Sequence, residues 1–406
     1  MSILADPIVY RPTRAPDVAE MVRAACSKGQ ALAIAGNGTR HGLGNPVAAA
    51  VRLEVGGLRT VHFYEPDDLV IRVDAGLPLA ELTAILAEHR QYLPFEPPVH
   101  AVLYGTDPAR ATIGGAIGTG LSGPRRFQAG AARDFVLGVE GVNGQGDSFS
   151  AGGRTMKNVT GYDLPKLVTG AFGTLAVLTS VTLKVLPAPP EERTLLLPSA
   201  GLAGDIARMA TVLAQPLAVT GAAVVPDGDG RVIALRVEGS RPAVTDHMGR
   251  LADPVSGLPP GRMLEGPAST AFWTGVRELV PLAAGPDDWL WRIHLPATAA
   301  AGLADRLRGE GLVASLMLDW GGALLFCAMK PGREDSVTRL RALAAAVAGR
   351  AILIRAPDAV RAAHGAFPAP DPAVRALSER TRRVFDPAGI LNPGRMTPPA
   401  QEDAAC

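Results

Sequence analysis

The stretch from Gly152 to Pro187, GGRTMKNVTGYDLPKLVTGAFGTLAVLTSVTLKVLP, sets two kinds of sequence side by side. Its first half gathers Lys157, the pair Tyr162-Asp163 and spaced glycines, a composition suited to a site, and the Tyr-Asp pair reads as buried. Its second half, TLAVLTSVTLKVL, alternates and carries β-branched residues at the density of a strand. The segment therefore predicts a short helix or turn feeding a strand.

At 406 residues the chain has room for two or three domains and a large core. Forty basic against thirty-nine acidic side chains leave a net charge of +1, and the few aromatics are not interleaved with basic runs, which argues against a nucleic-acid partner. The longest apolar runs are about half a membrane span, and MSILADPIVYRPTR has no signal-peptide core. The expectation is a cytoplasmic protein with no membrane span. Cys26, Cys327 and Cys406 are far apart and form no CxxC, so neither a disulfide framework nor a zinc or iron-sulfur motif is expected.

All five tyrosines lie at or before Tyr162 and all four tryptophans, Trp273, Trp289, Trp291 and Trp320, lie later. The two cores are expected to be separate, with a boundary near residue 190 after the LPAPP break at Leu186 to Pro190. In the first region, Pro16 to Lys28 reads as a helix stopped by Gly29. A strand at 31–35 follows, then extended segments near 51–55, 60–63 and 69–73, and a helix at 79–88. The second region alternates strands at 231–238, 289–295, 323–329 and 351–355 with helices at 201–213, 297–308 and 334–348. It predicts an antiparallel sheet with helices on one face. The overall class is α+β.

Two glycine loops carry the chemistry. The first, GNGTRHGLG at Gly36 to Gly44, follows the ALAIA strand, and consecutive main-chain N–H groups in such a loop hold phosphate oxygens well. Its spacing is not GxGxxG and Asn45-Pro46 precedes another strand, so a nicotinamide Rossmann domain is disfavoured. The second, ATIGGAIGTGLSGPRRF at Ala111 to Phe127, has glycines at 114, 115, 118, 120 and 123. Such a run suits a flat group touching main chain, while Ile113, Ala116, Ile117 and Leu121 ask for burial.

Taken with MKNVTGYDLPKL, RDFVLGVEGVNGQG, WGGAL and the terminal LNPGRM, these loops resemble flavoproteins with the vanillyl-alcohol-oxidase (PCMH-type) FAD-binding fold. More narrowly they are similar to the FAD-binding subunit family of bacterial glycolate oxidase (glycolate dehydrogenase). The resemblance implies a PCMH-type FAD-binding domain at 1–190, a smaller antiparallel α+β cap at 191–356, and a helix and tail at 357–406 returning to the first domain. It implies that Gly36, Asn37, Gly38, Thr39 and Arg40 cradle the FAD pyrophosphate and that Thr112, Ile113, Gly114, Gly115 and Gly118 lie along the flavin. Gly173 to Val177 would line the adenine end, and Asn392 to Arg395 would return to the ring. Lys157 and Tyr162 become flavin-side candidates; Lys157 or Arg395 would stabilise an anionic reduced flavin. FAD is expected to be non-covalent, although His41 occupies the loop in which some relatives attach flavin to histidine.

The resemblance further implies a complex that oxidises a small hydroxy acid, glycolate to glyoxylate. Its other members would be a homologous catalytic flavin subunit and an iron-sulfur subunit, with peripheral placement at the inner face of the cell membrane through those partners. One departure bears on the role of this chain. Related hydroxy-acid dehydrogenases carry a paired-histidine metal motif, HxGDGNxH, whereas the seven histidines here are never closer than eleven residues, and Asp319-Trp320-Gly321-Gly322 stands in the cap. No metal site is expected, and electron transfer or assembly is favoured over metal-assisted oxidation. The alternatives are a self-sufficient FAD-dependent hydroxy-acid or alcohol dehydrogenase, for which Tyr162, His294 and His364 are the base candidates, and a structural subunit without flavin. WLWRIHLP at 289–296 puts Trp289 and Trp291 on one face and Arg292 and His294 on the other.

Overall fold

The computed structural model describes residues 7–154, 162–252, 259–332 and 335–397. A small parallel sheet runs in the order Ile8–Tyr10, Val51–Glu54, Leu32–Ala35. Parallel neighbours need a crossover, and the helix Ala15–Ser27 provides one, burying Val18, Ala19, Val22 and Ala25. Gly29 follows it at φ +58°, a conformation that glycine adopts without strain. The chain's last described segment returns here: Leu32 N–H donates to Ile390 O at 2.8 Å and Asn392 N–H to Leu32 O at 3.0 Å.

Beside it lies a five-stranded antiparallel sheet ordered Val61–Glu65, Val70–Asp74, Val177–Lys184, Val136–Val142, Ser148–Gly152. The strand expected after the opening segment is the central one. It is buried along nearly its whole length because apolar clusters lie on both faces. The helix before it is one short turn and a half, Leu164–Val168, begun by Asp163, whose carboxylate accepts from Lys166 N–H at 3.4 Å. That cap corrects the reading of a buried Tyr-Asp pair: Asp163 is spent on the helix start and on an exposed ion pair with Lys166, and Tyr162 is 90% exposed.

An eight-stranded antiparallel sheet draws every strand from residues 191–355, in the order Arg262–Glu265, Glu191–Pro198, Gly230–Gly239, Val219–Asp227, Ser315–Asp319, Leu324–Met329, Trp289–His294, Arg350–Arg355. Period-two alternation sends Leu195, Leu235, Trp291 and Leu325 to one face and Leu196, Ala234, Leu290 and Phe326 to the other. Helices Leu202–Leu213, Arg241–Ala252, Ala300–Gly309 and Ser336–Ala345 cover the first face. The second is not bare, as an arrangement with helices on one face only would leave it. Helix Pro267–Arg277 covers part of it through Trp273 and Val276, and Leu43 and Leu121 from the glycine loops cover more. Both faces therefore carry apolar side chains, so the sheet could not be half solvated.

Polar bonds lock this seam. Tyr104 donates its hydroxyl to Ile354 O at 2.7 Å, Trp320 Nε1 donates to Gly123 O at 3.0 Å, and Arg361 donates to Gly44 O. Beneath them sits a buried ion network. Arg125 pairs with Glu96 at 2.6 Å and with Glu238, while Arg236 pairs with Glu96 at 2.9 Å and with Glu238 at 3.6 Å.

Candidate cofactor cleft

A cleft of about 240 Å³ opens between the parallel sheet, the helix Ile113–Thr119 and the Phe172 turn. Its floor is the first glycine loop. The main-chain N–H groups of Asn37, Gly38, Thr39 and Arg40 have no acceptor among the described residues, although the loop around them is well bonded: His41 N–H reaches Gly38 O and Leu43 N–H reaches Arg40 O. Four successive unpaired donors in a cleft form an anion nest. Arginine adds to the positive charge. Arg40 and Arg395 line the cleft, and burial lowers both to about 10; they pair with carbonyls rather than carboxylates. A diphosphate ester fits this donor set.

The glycines serve different ends. A Cβ on Gly36 would lie 2.1 Å from Thr112 Oγ1, and one on Gly173 would lie 2.9 Å from Asn392 Nδ2, so both are small because protein presses on them. Gly38 sits at φ +73°. A Cβ on Gly118 would meet nothing within 4 Å, so that face is open to the cleft. The second glycine loop is in fact helical. Thr112 caps it by accepting from Gly115 N–H at 3.1 Å, and Ile113, Ala116 and Ile117 bury its other side; packing and the cap outweigh the poor helix propensity of glycine.

The cleft brings together Gly36, Asn37, Gly38, Thr39, Arg40, Thr112, Gly114, Gly115, Gly118, Gly173, Asn392 and Arg395. Ile113 and Val177 lie behind the wall instead, fully buried in the two apolar clusters, so their side chains cannot touch a ligand. Tyr162 is at the surface and does not line the cleft. Lys157 lies outside the described residues. His41 lines the cleft with its ring exposed, Nδ1 being 3.1 Å from Gly38 O.

Asn392 is buried at φ +43° and spends its amide on the protein: Oδ1 accepts from Ile34 N–H at 2.7 Å and Nδ2 donates to Phe172 O at 2.7 Å. It is a brace across the cleft. Arg395 braces likewise, donating to Asn45 O at 3.0 Å and to His41 O and Arg40 O at 3.3 Å. Among the lining residues that sequence reasoning missed are Phe172 and Arg361. Phe172 had a local signal, since it stands between two glycines of GAFGT; Arg361, one arginine in an Ala-rich helix, had none.

The catalytic candidates lie elsewhere. His364 ends the helix Asp358–His364 and does not line the cleft. His294 sits at the seam, its ring 5.4 Å from that of Trp320, and burial with the charges of Arg292, Arg126 and Arg350 lowers it to about 3. Tyr162, His294 and His364 are thus not brought together. Among the described residues no three His, Cys, Asp or Glu side chains converge as metal ligands.

A parallel sheet and an antiparallel sheet flanking an anion nest, with a large sheet packed across, define the class of FAD-binding flavoproteins. Residues 7–152 match the family described as FAD binding domain. The fold is shared with an alkyldihydroxyacetonephosphate synthase at TM-score 0.67 and 14% identity, covering 95% of this chain and 76% of that one. The chain is 35% identical over 380 residues, 93% of its length and 95% of the relative's, to glycolate oxidase subunit GlcE of Escherichia coli (strain K12), and it belongs to that family. Over 98 residues, 23% of this chain and 21% of the relative, it is 40% identical to glycolate oxidase subunit GlcD of Bacillus subtilis (strain 168).

Proposed function

We propose that this chain is the FAD-binding subunit of a glycolate-oxidising complex, working in electron transfer or assembly. The observation that carries the reading is the row of unpaired N–H groups at Asn37–Arg40 in a cleft where Arg40 and Arg395 meet only carbonyls. Each charged hydrogen bond from such a row is worth about 1.5–3 kcal/mol. Residues 1–190 and the tail hold FAD, Gly118 leaves space for its ring system, and residues 191–356 form the cap. Bound FAD supplies two-electron and one-electron redox chemistry. The chain's own residues hold the diphosphate and, through Asn392 and Arg395, keep the loop and the Phe172 turn in place.

The partners in this reading are a homologous flavin subunit that oxidises glycolate and an iron-sulfur subunit that receives the electrons. No helix among the described residues is long and apolar enough to cross a membrane, so placement at the inner face of the cell membrane would come through partners. In this reading FAD is held non-covalently, with the His41 ring at the edge of the cleft, its Nδ1 3.1 Å from Gly38 O.

Co-purification on a tag carried by this chain, scoring flavin, iron and partner bands together, tests the whole reading. The expected result is flavin in the chain, released intact by acid, with iron only in a partner. A colourless, folded chain would overturn it. Gly36→Val, which drives a side chain into Thr112, should lower flavin content at least tenfold while the cap stays folded.

A further inference from the structure

The helix Pro372–Phe385 is an exception in this chain. Every other described helix of ten or more residues buries at least three side chains, whereas this one buries none. Val374, Leu377 and Val384 are 55%, 57% and 74% exposed, and their spacing sets them on one face of the helix. Among the described residues, bonds and ring contacts tie the helix to the rest of the protein only at its C-terminal end. There the Phe385 ring meets that of Phe149 at 6.3 Å, and Phe385 O accepts from Gly144 N–H at 2.8 Å. Its side-chain bonds, such as Arg375 to Glu379 at 3.0 Å, stay within the helix.

The helix is nonetheless well ended. Asp371 accepts from Ala373 N–H at 2.8 Å, Pro372 takes the first position, and Arg382 and Arg383 stand at the negative end of the dipole. A helix of this length is marginal in water when no face is packed, so the apolar stripe is matched to something outside the chain. Charge says what kind of surface that is. The helix carries four arginines and one glutamate; Arg375 takes the glutamate, and Arg380, Arg382 and Arg383 meet no acid among the described residues. Arg380 is three residues from Leu377 and four from Val384, so it borders the stripe. An occupant must therefore offer an apolar groove edged by carboxylates, which guanidinium forks grip bidentately.

Three other occupants fit less well. In a two-fold pair of copies the same patch meets itself, which sets arginine against arginine. A helix lying on a lipid surface sinks aromatic and aliphatic side chains into it, and this face has one leucine, two valines and no exposed phenylalanine or tryptophan. The tail at 398–406 contains no leucine, isoleucine, valine, methionine or aromatic residue to fill the stripe. A different protein chain is the occupant that matches both the stripe and the charge.

We propose that Pro372–Phe385 docks in an acidic-rimmed apolar groove of the iron-sulfur subunit, with Val374, Leu377 and Val384 as its anchors and Arg380 and Arg383 on the carboxylates. The choice of that subunit rests on the proposed function, and the path of the chain supports it. The helix runs directly into the wall of the cofactor cleft: the Asp386 carboxylate accepts from Ile390 N–H at 3.0 Å and from Leu391 N–H at 2.8 Å, and Asn392 lines the cleft. A subunit seated on the helix is joined to the cleft through that short bonded turn, a placement that suits an acceptor of flavin electrons.

Co-expression of the tagged full-length chain with the flavin and iron-sulfur subunits tests the docking, with flavin, iron and partner bands measured per chain. Two variants are compared with the parent: Leu377→Glu, and Arg380→Glu combined with Arg383→Glu. Each should keep the parent's flavin and carry at least tenfold less iron-sulfur subunit and iron. The substituted side chains are exposed, so an unchanged circular dichroism spectrum and thermal midpoint are expected and check the fold. Parental amounts of the iron-sulfur subunit in either folded variant, or none with the parent, would overturn the proposal and leave flavin binding standing. With the chain alone, binding to phosphatidylglycerol vesicles or a dimer in light scattering, abolished by Leu377→Glu, would overturn it in favour of a membrane or a second copy. A colourless parent chain whose variants still lose the iron-sulfur subunit rejects the FAD reading and keeps this one.

Discussion

Arg125 and Arg126 are neighbours in one short loop and live in opposite electrostatic settings. Arg125 enters the seam on the side of Glu96, Glu238 and Glu192, where every donor meets an acid. Arg126 turns the other way, to Trp320, Arg292 and His294, where none does. The first is a closed network; the second is an open one. Leaving a buried charge without a partner is costly, so the paired side belongs to the architecture while Arg292 stays uncompensated.

The largest effect should come from the closed side. Glu96 accepts from Arg125 N–H, Arg125 Nη1 and both Nη groups of Arg236. Glu96→Gln should cost about 3–5 kcal/mol in chemical denaturation, because two buried cations lose one of the acids they share and keep only Glu238 and Glu192. Arg292→Met should instead be neutral or up to about 1 kcal/mol stabilising, since it removes an uncompensated charge at similar volume. Equal losses for the two variants would show that both sides of the seam are structural.

Acid should separate the two sides next. Burial would raise Glu238, but its bond from Arg125 and the charge of Arg236 hold it at about 2, below its ordinary 4.5. A lowered carboxylate gives stability that is full above 4.5 and is lost as pH falls toward 2. Burial and the nearby arginines lower His294 from 6.5 to about 3, so its contribution is full above 6.5 and fades as pH falls toward 3. Burial lowers His100 from 6.5 to about 4 in the same window. Burial raises Asp319 to about 7, so its contribution grows as pH falls from 7 and opposes the two histidines; the test is therefore the difference from the parent chain, in which His294→Gln should remove part of the loss between 6.5 and 4.5 while Glu238→Gln changes the stretch below. The smallest effect is expected at Tyr162→Phe: an exposed ring should change stability by less than about 0.5 kcal/mol, and flavin content not at all.

Period and punctuation made much of the fold legible. Helix Ala15–Ser27 with its glycine stop, helix Leu79–Glu88 and the strands at 230–239 and 289–294 lie within a residue or two of their patterns, because a one-sided core imposes a repeat on the sequence. The helix Ile113–Thr119 was not legible. Three of its seven residues are glycine, and what holds it is the Thr112 cap and a buried face, neither visible to propensity. The strand Val219–Asp227 was hidden in the same way by Gly221, where a Cβ would lie 2.7 Å from Trp273, a tertiary demand.

At the cleft, the loop at Gly36–Arg40 was readable because a nest is local. Asn392 and Arg395 were found through the terminal LNPGRM, yet their part as braces depends on carbonyls more than 200 residues away. Tyr162 looked like a site residue because of its neighbours, and a helix cap turned it outward. Nothing in the pair Arg125-Arg126 distinguishes one arginine from the other; only the opposite wall of the seam does.

The bond from Asn392 to Phe172 carries a consequence for biosynthesis. Residues 386–395 are translated after every other wall of the cleft, and the strand Leu32–Ala35 meets its last neighbour only when they arrive. On the ribosome, the nascent chain would have the loop but not the clasp. Cofactor loading is then a late event, and nascent chains stalled before Asp386 should emerge without flavin even when the sheets ahead of them have formed.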